Sequence, residues 1–137
     1  MTRILVPIVL LTMLLPSHAY GQTFDALVKR EGIYYLQFST TPFTGKTEGR
    51  IQATFKNGQR DGPWTSFHSN GQLFQKGNFR GGEKHGVWVS YHANGRLNAK
   101  GSFKNDKLDG LWLFFDMTGN RQESLSGNYK NGIKVSD

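Results

Sequence analysis

The sequence predicts an all-β protein: an elongated, twisted antiparallel sheet of repeated β-hairpins, forming a single domain behind an amino-terminal leader. Three observations carry this reading. Gly62-Pro63-Trp64, Gly86-Val87-Trp88 and Gly110-Leu111-Trp112 recur at a spacing of 24 residues, and all three tryptophans of the chain fall in that register. Phe55, Phe79 and Phe103 keep the same spacing, as do Phe67, Tyr91 and Phe115, and Gly71, Gly95 and Gly119. Asn70-Gly71 and Asn94-Gly95 interrupt short segments rich in aromatic and aliphatic residues, the signature of a hairpin turn.

The leader comes first in the chain. Met1-Thr2-Arg3 gives a charged start, and Ile4 to Leu15 is apolar except for Thr12. Small residues follow Pro16, so residues 1–21 read as a secretory signal cleaved after Ala19 or, preferably, Gly21. An apolar run this short falls below the roughly 20 residues that span a bilayer. The chain is therefore expected to be exported, to a periplasmic or extracellular location. It has no cysteine, so neither a disulfide framework nor a lipid-modified cysteine is open to it. Residues 22–41 form a lead-in segment, and 42–137 the hairpin array, with units near 55–78, 79–102 and 103–128 and partial units at both ends.

Within a unit, a two-residue type I′ turn at Asn70-Gly71 pairs Ser69 with Gln72, His68 with Leu73, Phe67 with Phe74, Ser66 with Gln75 and Trp64 with Gly77. The second unit likewise sets Trp88 opposite Gly101, an aromatic covering the gap that a strand glycine leaves. The third glycine, Gly127, comes 26 residues after Gly101. Keeping Trp112 opposite Gly127 moves the turn to Gly119-Asn120, a type II′ pair, and lengthens each strand by one residue without exchanging faces. Alternation then puts Trp64, Ser66, His68, Leu73, Gln75 and Phe79 on one side and Thr65, Phe67, Phe74, Lys76 and Asn78 on the other. In the third unit Phe114 replaces Ser66 and Ser90, and its expected partner Leu125 replaces Gln75 and Ala99. The last hairpin is greasier on the tryptophan face, which reads as capping or as a protein interface.

The Asn-Gly, Asp-Gly-x-Trp and Lys-Gly-Asn-Phe pieces resemble the variant MORN repeat of bacterial proteins over residues 42 to 132. The resemblance implies a hairpin array, no shared enzymatic activity, no cofactor, and a role in binding proteins or membranes. Some relatives carry an antitoxin label, although the leader argues against an antitoxin-like protein acting in the cytosol. Gly81-Gly82 and Asp106 depart from the Asn57-Gly58 pattern at one set of turns.

The formal charge is +7, of which the leader's Arg3 accounts for one. For an exported chain this favours anionic lipids, envelope polysaccharides or acidic proteins over nucleic acid. Lys56, Arg80, Lys104 and Lys130 share a column, and Lys76 and Lys100 form another. Such rows can track a repeating anion, or simply keep a sheet solvated. His68, His92 and Asp116 also share a column, a ligand set suited to zinc, although repetition alone generates columns of any residue. No serine lies in a Gly-x-Ser-x-Gly elbow, and Gly45-Lys46-Thr47 has Thr40 where a phosphate loop needs glycine. The chain is thus expected to be a scaffold and not an enzyme, binding an unidentified protein through Trp64, Trp88, Trp112, Phe67, Tyr91 and Phe115. The alternative is attachment to an anionic membrane or envelope surface through the basic columns. Exposed first and last strands leave self-association open.

Overall fold

Turn chemistry and alternation together generate the sheet in the computed structural model, which describes residues 21–137. The expected leader lies outside the described residues except for Gly21. Twelve strands follow: β1 (Gln22–Thr23), β2 (Leu27–Arg30), β3 (Ile33–Leu36), β4 (Gly45–Glu48), β5 (Ile51–Lys56), β6 (Gln59–Phe67), β7 (Leu73–Arg80), β8 (Glu83–Tyr91), β9 (Leu97–Lys104), β10 (Lys107–Phe114), β11 (Gly127–Lys130) and β12 (Ile133–Ser136). Strands β4 to β12 run in chain order through one ten-stranded sheet whose first member is β1; β2 and β3 form a separate hairpin. β1 pairs with β4 in parallel, which local pattern does not announce, and every other pairing of strands is antiparallel.

Two kinds of connection alternate. At one edge, Lys56 pairs with Gln59, Arg80 with Glu83, Lys104 with Lys107 and Lys130 with Ile133, leaving two-residue turns. Both turn residues have positive φ in each case, including the non-glycine pair Asn105 (51°) and Asp106 (62°). These are type I′ turns, whose twist matches the strands they join. Gly81-Gly82 and Asn105-Asp106 are therefore equivalent to Asn57-Gly58.

The opposite edge differs from expectation. Only the glycine of Asn70-Gly71 has positive φ (84°), and His68 N donates to Gln72 O (2.8 Å) while Gly71 N donates to His68 O (3.0 Å). This is a three-residue loop, a type I turn closed by a left-handed glycine, and not a type I′ turn. Asn70 is employed otherwise: Oδ1 accepts from Gln72 N, and Nδ2 donates to Ala93 O of the next loop. The loop shifts the register by one, so Phe67 pairs with Leu73 instead of Phe74. A bulge at Phe74 cancels the shift, and Ser66–Gln75 and Trp64–Gly77 pair as the symmetric turn would have set them.

The third unit repeats this loop, with Asp116 N donating to Asn120 O and Gly119 N to Asp116 O. The expected type II′ turn at Gly119-Asn120 is absent, and the hairpin does not lengthen. The two inserted residues enter at the bulge instead, between the Phe115–Arg121 bridge and the Trp112–Gly127 pair. There Ser126 is fully buried, and its Oγ accepts from Phe114 N (3.0 Å) in place of a ladder carbonyl. Leu125 does not pair with Phe114; it is 46% exposed.

Candidate functional site

The tryptophan face carries a continuous run of aromatic rings. Trp64, Phe79, Trp88, Phe103 and Trp112 stand in sequence with centroids 5.3, 5.2, 6.0 and 5.0 Å apart, each pair edge to face. Such pairs contribute about 0.5–1.5 kcal/mol each beyond their area. At one end Phe24 and Tyr34 pack on Phe55, and Phe24 also meets Trp64. At the other end Phe114 stacks on Trp112 at 22° and meets Tyr129.

Glycine makes this ladder possible, but across units. Trp64 is the backbone partner of Gly77, yet the ring lying on Gly77 belongs to Trp88: an added Cβ would sit 2.2 Å from its Cδ2. Gly101 is covered in the same way by Trp112. Each indole then donates Nε1 to the carbonyl following that glycine, Trp88 to Asn78 (3.1 Å) and Trp112 to Ser102 (2.8 Å). Trp64, Trp88 and Trp112 are consequently buried, at 8, 3 and 5% exposure. They bind the units to one another, and most of each ring is spent on that contact. Phe67, Tyr91 and Phe115 are half-buried near the three-residue loops.

His68, His92 and Asp116 are not gathered into a ligand set, and each is occupied elsewhere. His68 Nε2 lies 2.9 Å from Tyr91 O, and His92 Nε2 lies 2.9 Å from Phe115 O, so each ring donates to the next unit. Asp116 accepts from Thr118 Oγ1 and from Asn120 N, and these bonds hold its carboxyl at about 2. Among the described residues no cluster of three metal-ligating side chains forms.

Lys56, Arg80, Lys104 and Lys130 are all exposed, each one residue before a type I′ turn, and so make a cationic row along one edge. A third cationic column has the same spacing: Arg60 and Lys84, 24 residues apart. The Arg60 guanidinium lies 4.0 Å from the Phe79 centroid, and Lys84 Nζ lies 4.6 and 4.8 Å from those of Trp88 and Phe103. Burial pushes the Lys84 ammonium pKa down, against the opposing pull of Asp106. Beside it an open groove of about 270 Å³ is walled by Trp88, Phe103, Trp112 and Phe114, with Ser90 and Ala99 beneath.

These features define a class: an antiparallel hairpin-repeat protein whose units are sealed by aromatic rings lying on neighbouring backbone. Residues 60–80 and 84–105 match the MORN repeat variant, and these two segments are MORN-variant repeats. The third copy, with its insertion, falls beyond the matched residues. Comparison with curated proteins gives no match.

Proposed function

We propose that the chain is an exported, non-catalytic scaffold that binds another protein. One observation carries the reading: the repeats leave an aromatic groove with a cationic rim and a row of exposed cations beside it, while His68 and His92 are spent on joining units and Asp116 on closing its own loop. MORN-variant repeats, as a non-catalytic repeat module, agree with this. Export rests on residues 1–21, and the mass of the mature protein recovered from cells tests it; an intact Met1 would contradict it. Crosslinking in the native compartment tests the scaffold role. Specific capture of one protein is expected, and capture of envelope lipid or polysaccharide alone would contradict it.

A second reading has its own support. The exposed row Lys56, Arg80, Lys104 and Lys130 suits an anionic lipid or polysaccharide surface. Sedimentation with anionic liposomes that occurs at low salt and disappears at high salt is the expected signature; binding insensitive to salt would argue against it.

A further inference from the structure

The three copies of the unit differ from one another at many positions, but three of the differences converge in space. Where the first unit has Gln75 the second has Ala99; where the first two have Arg60 and Lys84 the third has Leu108; where the first two have Ser66 and Ser90 the third has Phe114. Ala99, Leu108 and Phe114 all line the groove between the second and third units. Each change acts in the same direction. Ala99 shortens the side chain on the floor, Phe114 stacks against Trp112 at 5.7 Å to raise the far wall, and Leu108 removes a cation from that wall. Lys84 is left as the single charged residue lining the groove.

A terminal repeat that merely capped the sheet would cover this surface with its own inserted residues. It does not: Leu125, the aliphatic residue of the insertion, is 46% exposed and lines no part of the groove. The volume also narrows the occupant. At about 270 Å³ the open groove has room for one large side chain. It suits the single large anchor that dominates many protein interfaces.

We infer that this groove receives an apolar side chain, aromatic or long aliphatic, from an extended segment of the partner, while Lys84 at the rim takes an adjacent carboxylate of the same segment. The inference rests on the scaffold reading and adds the chemistry of the contact. Lys84 suits this role because its ammonium lies over the Trp88 and Phe103 rings, two of the walls of the groove, and so is held at the groove's edge. The acid of its own chain that acts on it, Asp106, uses Oδ1 to accept from Lys84 N (2.6 Å). Half-buried and without an ion pair among the described residues, the Lys84 ammonium gains a charge-assisted bond from a partner carboxylate in a partly dry setting.

The test uses the full chain, labelled for observation of its indole N–H resonances, and three blocked tetrapeptides: Gly-Phe-Asp-Gly, Gly-Phe-Asn-Gly and Gly-Ala-Asp-Gly. The Phe-Asp peptide is expected to shift Trp88 and Trp112 saturably while leaving Trp64 unmoved. Affinity should fall at least about fivefold for the Phe-Asn peptide and for Lys84→Met, and more for the Ala-Asp peptide. Ala99→Gln, which installs the residue the first unit already carries, should fill the floor and abolish binding without unfolding the sheet. No saturable shift, or equal binding by Ala99→Gln, overturns the inference. So does binding of octanoate at these indoles when the peptides fail, since the groove then serves a small amphiphile. A protein captured by crosslinking that Ala99→Gln still binds would preserve the scaffold reading while overturning the groove.

Discussion

Trp64 and Trp88 occupy the same column of the repeat, yet they are seated differently. Trp88 lies flat on Gly77 and donates to Asn78 O, and Trp112 does the same with Gly101 and Ser102. The equivalent backbone beneath Trp64 is Ala53, its pairing partner on β5. Among the described residues, Trp64 Nε1 finds no acceptor although the residue is only 8% exposed. One methyl group accounts for the difference: an indole cannot lie at contact distance on a backbone that carries a Cβ. The first unit offsets the loss with Phe24, Tyr34 and Phe43, which close the ladder at the amino-terminal end. The lesson is that the repeat's stability resides in a pair of residues from successive units, and not in tryptophan alone.

The largest expected effect is at the well-seated ring. Trp88→Ala should lower the free energy of unfolding by about 3–5 kcal/mol in urea titrations, as for other buried aromatics. Trp64→Ala should cost measurably less, since its N–H makes no bond to lose; equal losses would break the comparison. Gly101→Ala places a methyl against the Trp112 ring and should cost about 1–3 kcal/mol, the range for overpacking.

A smaller effect separates the third loop from the first two. Asp116 stands where they carry His68 and His92, and hydrogen bonds led by that from Thr118 depress its pKa to about 2. Because the folded value lies below the unfolded one, about 4, its stabilisation is complete above that pH and is lost as pH falls through the folded value. Amide protection at Thr118 and Asn120, measured as exchange relative to the intrinsic rate at each pH, should therefore fall between about pH 4 and 2, and should stay level in an Asp116→Asn variant. The least effect on stability is expected from Ala53→Gly. A gained hydrogen bond of about 1 kcal/mol is opposed by the similar entropic cost of a strand glycine. Slower exchange of the Trp64 indole proton, with an acceptor supplied by Thr54 O, is the outcome that would sharpen the comparison.

Much of this arrangement was legible in the chain. The pairs Trp64–Gly77, Trp88–Gly101 and Trp112–Gly127 follow from spacing alone, because the period of a strand makes register a matter of counting. The loops were read less well. A bulge at Phe74 compensates a three-residue loop at Ser69–Gly71 so completely that both arrangements give the same register at Trp64. In the third unit, the same ambiguity let the insertion be placed at the turn when it sits at the bulge. Which ring covers which glycine was not legible either. It depends on the twist between neighbouring strands, which carries an indole from one unit over the backbone of the previous one. The role of His68 and His92 was hidden for a related reason: their partners are backbone carbonyls 23 residues away, which have no side-chain signature.

The claim that indoles seal the preceding unit is tested most directly by a pair of double-mutant cycles on Gly77→Ala, one with Trp88→Ala and one with Trp64→Ala, followed by urea unfolding. The account predicts a coupling of about 1 kcal/mol or more between Gly77 and Trp88, since the added methyl ceases to clash once that ring is gone, and a clearly smaller coupling with Trp64. Additive losses with Trp88, or the larger coupling with Trp64, would contradict it.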